Sequence, residues 1–199
     1  MLPLVLDVSR LKLALIGNGR TAERRLALLD EAGARDVGVY ATAPSAALAR
    51  RAGERLIHRL PRCEELASVR VIFISDACPD HRALALTARA AGVLVHVEDE
   101  PSLSDVHAPA IVRRGDLVIA VSTGGRSPAL AAQIKRFLGA LFGEEWRGRL
   151  DEIALLRRHW RKSGADHAAV IEHTKAWTFG RKWLPTPARA TAPPRAAAH

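Results

Sequence analysis

Apolar residues in the first hundred positions come in short continuous runs, and between the runs they recur every third or fourth residue. Residues 11–17, LKLALIG, form the first run and predict a strand. Residues 20–32 follow with Ala22, Leu26 and Leu29 on one helical face and Gly33 placed to end the helix. The alternation repeats along the chain. A strand is predicted over 37–41, a short helix over 44–52 closed by Gly53, a short strand over 55–58 and a helical turn at 63–66. A buried strand over 69–75 (VRVIFIS), a helix over 79–91 ending at Gly92 and a strand over 93–97 complete the series. Strands that are apolar on both faces and alternate with helices predict a parallel sheet covered on each side.

Past residue 108 the pattern changes. Residues 110–114 and 117–122 are short apolar strands joined by Gly115-Asp116, which predicts a hairpin. Ser127 is placed to cap a helix whose first residue is Pro128 and which runs to about Leu141. Residues 144–162 carry Trp146, Leu150, Ile153 and Leu156 at helical spacing, and 165–177 predict one more helix. The final PTPARATAPPRAAAH has too few apolar groups to order itself. The expected fold class is therefore α/β: a Rossmann-like parallel sheet, then a hairpin region, then a small helical C-terminal domain. The expected boundaries are 1–108, 109–142, 143–184 and a disordered tail at 185–199. No internal repeat interrupts this reading.

Composition narrows the class. The 199 residues are 48% hydrophobic, enough for one core with a small second domain. No apolar run is long enough to span a bilayer, so no membrane partner is expected. The opening MLPLVLDVSRLKLAL is broken by Asp7, Arg10 and Lys12 and lacks a cationic leader, so no secretory signal is read. Cys63 and Cys78 fit no metal spacing and are expected as small, buried or partly buried thiols of a reduced, cytoplasmic protein. The net charge of +9 needs an explanation; residues 140–199 alone hold 11 Lys and Arg against 6 Asp and Glu. A solvated Arg-rich surface, a polyanionic small substrate and nucleic acid are the three readings. Aromatic residues are sparse before the last third, which argues against a base-stacking surface and leaves nucleic acid the least favoured partner.

Candidate chemistry starts at Gly17-Asn18-Gly19-Arg20-Thr21-Ala22, between a predicted strand and a predicted helix. This is the GxGxxA form of a dinucleotide fingerprint. Gly17 permits a tight turn, Gly19 lets a pyrophosphate approach the backbone, and Ala22 lets the helix pack close to the strand. The acid that usually meets the ribose at the end of the second strand is missing. The strand ends Val39-Tyr40-Ala41-Thr42-Ala43-Pro44, and Asp36 lies at its other end. Thr42 and backbone amides are expected to hold the ribose, and Arg50 and Arg51 leave NADP open beside NAD.

A second block, VHVEDEPSLSDVHAPAIVRRGDLVIAVSTGGRSPALAAQIKRFL, spans residues 95–138. Together with the fingerprint it resembles the bifunctional precorrin-2 dehydrogenase/sirohydrochlorin ferrochelatase family, the first module of sirohaem synthases, over about residues 3–160. No methyltransferase domain follows, so the stand-alone form is expected. The resemblance implies an NAD-binding Rossmann domain, a dimerisation region over 109–142 with hairpin strands shared between subunits, and a closing helical domain. It implies NAD-dependent oxidation of precorrin-2 to sirohydrochlorin, then insertion of Fe²⁺ (Co²⁺ is also possible) in the same cleft to give sirohaem. It also implies a homodimer acting on a polyanionic tetrapyrrole, a substrate that would suit the excess of positive charge.

The resemblance also assigns roles. Asp99 matches the family's essential aspartate; a carboxylate there can accept the protons released by dehydrogenation and by metal insertion, or hold the incoming metal. Read from the residues alone, Asp99 equally caps the turn before Pro101. His96 and Glu98 replace the usual Asn and Val, and His107 precedes Ala108-Pro109. His96 with Asp99 is a candidate metal pair, and His107 could assist delivery, though each His also reads as a surface or supporting residue. Gly17, Asn18, Gly19, Arg20, Thr21, Thr42, Ala43, Ser75 and Asp76 fall at cofactor contacts, with Asp76 also able to cap the next helix. Arg113, Arg114, Thr123, Gly124, Gly125 and Ser127 fall on the substrate side, one of the two arginines being expected to face solvent. Trp146, Trp160, Trp177 and Trp183 lie in the last third, beside the basic run at residues 155–162, either reaching over a cleft or packing a helical domain. The altered residues near Asp99 keep open a dehydrogenase without chelatase activity. The missing ribose acid keeps open a non-catalytic NAD- or tetrapyrrole-binding protein.

Overall fold

The computed structural model describes residues 1–76 and 80–184. They form two compact units, residues 1–110 with 122–131 and residues 111–121 with 132 onward.

In the first unit, β1 (Lys12–Ile16), β2 (Asp36–Tyr40), β3 (Leu56–Ile57), β4 (Val71–Ile74) and β5 (Leu94–Val97) make one sheet in the order β3-β2-β1-β4-β5. Every pairing is parallel, with Leu13 opposite both Val37 and Val71. Helices α1 (Arg20–Glu31), α2 (Ala46–Ala52), α3 (Cys63–Ser68) and α4 (His81–Ala90) connect the strands. Alternation along each strand builds a core on both faces. Leu13 and Leu15 join Ala22, Leu26, Leu29, Val37 and Val39 on one side; Ala14 and Ile16 join Ile72, Ile74, Ala85, Ala88 and Val95 on the other. Each fully buried Leu or Ile contributes about 1.5–3 kcal/mol, which makes the sheet a rigid platform for the loops at its carboxyl edge. The chain moves outward from β1 to β3, then crosses to the opposite side of β1 with β4. The loops after β1 and β4 therefore flank the point where the order reverses, the usual ligand crevice of an open α/β sheet.

The second unit holds a two-stranded sheet of β6 (Ala110–Arg114, from its second residue) and β7 (Leu117–Val121), with Gly115 at φ +61° in the turn. Helix α5 (Pro128–Leu141) gives its first turn to the first unit and the rest to the second; α6 (Glu145–Lys162) and α7 (His167–Gly180) follow. Helix α7 starts two residues later than the sequence pattern suggests because Asp166 caps it, accepting from Ala169 N at 2.8 Å. The tryptophans pack this unit. Trp146 meets Phe142 at 5.0 Å and Trp183 at 6.5 Å, and Arg149 lies over both indoles. Trp177 Nε1 donates to Glu152 at 3.2 Å, and Trp160 meets His173.

Cys63 is exposed at the first position of α3 rather than buried, because the buried residue of that short helix is Leu66. Cys78, the first residue of the expected 79–91 helix and the tail at 185–199 lie outside the described residues. Among the described residues no helix is long and apolar enough to cross a membrane.

Candidate functional site

The fingerprint loop turns at the carboxyl edge of β1. Gly17 N donates to Tyr40 O at 3.1 Å, and α1 opens with Gly19 at its N-cap and no side chain capping it. The free amides there are taken by Asp76, at the end of β4. Its Oδ2 accepts from Asn18 N and from Gly19 N, each at 2.8 Å. A Cβ on Gly17 would lie 2.6 Å from that oxygen and 2.8 Å from the Ala22 Cβ; one on Gly19 would lie 3.5 Å from Asp76 Oδ1. The close approach of Gly17 to Ala22 is the one the fingerprint requires. The loop is an anion cradle, and the anion in it is a carboxylate of this chain.

Asn18 ties this loop to the one after β2. Its Oδ1 accepts from Ala43 N at 2.9 Å, its backbone oxygen accepts from Ser45 N at 2.7 Å, and its Nδ2 lies 3.4 Å from Thr42 Oγ1. Thr42 and Ala43 are exposed, as is Arg20, while Thr21 is half-buried. Asp36 stands exposed at the amino end of β2, away from this edge. Arg51 lies 3.4 Å from Asp30, and Arg50 is exposed. Ser75 N donates to Ile16 O at 2.9 Å, and its buried Oγ has no hydrogen-bond partner among the described residues. A buried hydroxyl without a partner is costly, so this atom is one that a bound molecule would satisfy.

Asp99 follows β5 in a left-handed conformation, φ +58°, which costs an L-residue energy. It is exposed, and among the described residues its carboxylate has no hydrogen-bond or ion-pair partner. The turn is held by its neighbours instead. Glu100 N donates to Val97 O, and Ser104 Oγ accepts from Val97 N at 2.9 Å and sits 3.0 Å from Glu100 O. His81 Nε2 lies 2.7 Å from Glu100 Oε1. The turn-capping role open to Asp99 in the sequence is thus filled by Ser104. Nothing in the spacing announces the His81–Glu100 pair; the two meet because α4 starts beside the β5 edge.

His96 and Glu98 lie two apart on β5 and just beyond it, so they share a face, the one covered by α1. His96 is buried, and both its ring nitrogens are spent. Nδ1 donates to Val106 O at 3.0 Å, because a carbonyl can only accept. Nε2 faces Arg25 Nη2 at 3.1 Å and Glu98 Oε2 at 3.4 Å. As a lone pair it accepts from Arg25; as N–H it donates to Glu98. Arg25 also reaches Glu98 at 2.6 Å, with its side chain 10% exposed. The His96 ring, and after it the Arg25 guanidinium, hold the Glu98 carboxyl down to about 2 against the cost of burial. The expected His96–Asp99 metal pair is therefore not assembled: His96 is an internal anchor for α1. His107 is exposed. Among the described residues no group of three His, Cys, Asp or Glu is gathered to hold a metal.

The Gly-Gly loop reaches the Asp99 turn, since a Cβ on Gly125 would lie 3.6 Å from Pro101 Cγ. Gly124 and Gly125 adopt φ +64° and +79°, a conformation suited to glycine. Thr123 and Ser127 hold the loop together: Ser127 N donates to Thr123 Oγ1, Thr123 Oγ1 donates to Ser127 O, and Leu130 N donates to Ser127 Oγ at 3.3 Å. In the second unit, Arg114 is not the free carboxylate clamp expected from the sequence. Its guanidinium donates to Phe142 O, Gly139 O and Arg113 O, closing the last turn of α5, and it meets Glu144 at 3.4 Å. A helix end leaves carbonyls without partners, and Arg114 supplies the missing donors. Arg113, its neighbour on the strand, is half-buried.

A family model described as "Putative NAD(P)-binding" matches residues 4–110, and one described as "Sirohaem biosynthesis protein central" matches residues 114–141. The chain belongs to this NAD(P)-binding family of sirohaem biosynthesis. Curated relatives of the sirohaem family agree. A sirohaem synthase of Methylococcus capsulatus is 37% identical over 138 residues, covering 67% of this chain and 29% of that protein. A sirohaem synthase of Pseudomonas putida is 36% identical over 165 residues, covering 81% of this chain and 35% of that protein. The chain thus spans about a third of the length of these sirohaem synthases. The solved structure of SirC, precorrin-2 dehydrogenase, superposes with a TM-score of 0.74 at 21% identity over 93% of each chain, which bears out the Rossmann-like fold with its helical C-terminal region.

Proposed function

We propose that this chain oxidises precorrin-2 to sirohydrochlorin with NAD⁺, and that Fe²⁺ insertion follows at the same carboxylate to give sirohaem. One observation carries the reading: a single sheet edge holds an anion cradle at Gly17–Gly19 and, without partners among the described residues, the Ser75 hydroxyl and the Asp99 carboxylate. The cradle and the orphan fit a dinucleotide. Gly17, Asn18, Gly19, Arg20 and Thr21 would meet its diphosphate, Thr42 and Ala43 its ribose, and Ser75 the nicotinamide end. NAD⁺, when bound, supplies a hydride acceptor. The oxidation removes a hydride and a proton, and Asp99 is the group available for the proton. Iron insertion releases two pyrrole N–H protons, and Asp99 would accept these in turn. The Gly124–Gly125 loop beside the Asp99 turn, with Thr123 and Ser127 bracing it, would face substrate carboxylates. The exposed Cys63 thiol suits a reducing cytoplasm.

The test is anaerobic turnover of precorrin-2, generated in situ, followed through the sirohydrochlorin spectrum. The reading expects NAD⁺-dependent formation above the spontaneous rate, and sirohaem on adding Fe²⁺. A second reading, a dehydrogenase without chelatase activity, is favoured by the capture of His96 and Glu98 by Arg25. It expects sirohydrochlorin to accumulate unchanged by Fe²⁺ or Co²⁺.

We further propose a homodimer. Leu130, Ile134, Phe137 and Leu141 recur at helical spacing on α5 and are exposed, Phe137 at 69%. An apolar stripe of this kind is a surface that a second copy would cover.

A further inference from the structure

We infer that Asp76 is a built-in competitor of the cofactor's diphosphate, and so sets the affinity of the nucleotide site. The inference rests on the dinucleotide reading above and goes beyond it. Two amides at the start of α1 are the groups a phosphate oxygen would use, and both already donate to one oxygen of Asp76 at 2.8 Å. The carboxylate lies deep in the turn, where even a Cβ on Gly17 would come within 2.6 Å of it. A diphosphate cannot take the same two N–H groups while that oxygen holds them, and two anions in one cradle repel. Nor is Asp76 explained as a helix cap. Helix α4 starts at His81 with Asp80 at its N-cap, and Asp76 reaches the other way, from the end of β4 to the loop after β1.

The cofactor must therefore displace the Asp76 carboxylate, and its apparent affinity falls by the fraction of time the cradle is open. As the dinucleotide leaves, the carboxylate returns to the same amides. NAD⁺ and NADH carry the same diphosphate, so both are weakened alike. A ligand without a diphosphate is not affected. This gives Asp76 a signature opposite to that of its neighbours in the site: its removal strengthens binding, whereas loss of a residue that grips the cofactor weakens it.

The experiment is titration calorimetry of the full chain and of Asp76→Ala and Asp76→Asn with NAD⁺, ADP-ribose and adenosine. Asp76→Ala is expected to tighten NAD⁺ and ADP-ribose by about tenfold, as for a cradle open about a tenth of the time. Adenosine should bind all three proteins equally. The nearly isosteric Asp76→Asn keeps an accepting oxygen without the charge and should fall between; it also serves if the alanine variant fails to fold. Unchanged or weaker NAD⁺ binding in the folded variants would overturn the inference and leave the dinucleotide reading intact. Failure of all three proteins to bind NAD⁺ and ADP-ribose would overturn both.

Discussion

Asp99 joins backbone strain to a proposed chemical role. At φ +58° its backbone is one that glycine adopts at no steric cost, and its side chain has no partner among the described residues. Stability and function should therefore separate here. Asp99→Gly is expected to hold or raise thermal stability, by up to about 1 kcal/mol, because the left-handed penalty of an L-residue disappears. The isosteric Asp99→Asn should lose at least about 100-fold in precorrin-2 turnover, the usual scale of a lost proton acceptor, with NAD⁺ affinity unchanged. Melting curves and calorimetry check the two halves. A variant that lost stability but kept turnover would make Asp99 a structural residue. The sequence showed Asp99 only through the motif around it. Its strain was invisible, because a positive φ at a non-glycine residue leaves no mark in the composition of a turn. The resemblance puts Asp76 among the cofactor contacts, and the sequence leaves it equally open as a helix cap. That its carboxylate reaches back 57 residues to Gly19 was not, since nothing local encodes a contact across the sheet reversal.

At the scale of elements, α1 is fastened to β5 by charge as well as by packing. Arg25 is nearly buried between Glu98, the His96 ring and the Phe73 face. Removing Glu98 leaves that guanidinium short of its anion, so Glu98→Ala is expected to cost about 2–3 kcal/mol in denaturant unfolding. The pH dependence has a definite sign. The folded Glu98 carboxyl lies near 2, below its ordinary 4.5, so its contribution is complete above 4.5 and is lost as pH falls through 2. The stability gap between the native chain and Glu98→Gln should narrow over that window and stay constant above it. Gly17→Ala tests the β1–α1 turn. Its Cβ would press on Asp76 Oδ2 at 2.6 Å and on Ala22 Cβ, which is fixed to the helix backbone, at 2.8 Å, a clash expected to cost about 1–3 kcal/mol in melting experiments. The alternation of strands and helices was readable because two-sided burial writes continuous apolar runs. The sequence pairs His96 with Asp99; the spacing of two that puts His96 and Glu98 on one face, and their shared partner Arg25 on α1, emerge only in the structure. The role of Arg114 was hidden for a related reason: the carbonyls it closes, at Gly139 and Phe142, come from a helix end far along the chain.

At the scale of the whole molecule, the apolar stripe of α5 is exposed, and β6–β7 form a sheet of only two strands among the described residues. A two-stranded sheet is marginally stable alone. Phe137→Glu is expected to convert a dimer of the 21.6 kDa chain to a monomer in sedimentation equilibrium; a native chain that sediments as a monomer would remove the dimer proposal. The excess charge, +9, leaves a solvated surface, a polyanionic substrate and nucleic acid all open and does not choose among them. The proposed choice rests on the anion cradle, on a carboxylate without a partner among the described residues and on the sirohaem family the chain belongs to, and it comes down to one reaction. The most direct measurement is the anaerobic rate of sirohydrochlorin formation from precorrin-2 with purified protein, with and without NAD⁺. The account predicts a rate well above the spontaneous one that requires NAD⁺ and disappears in Asp99→Asn. A rate equal to the spontaneous one with folded protein and either NAD⁺ or NADP⁺ would contradict it.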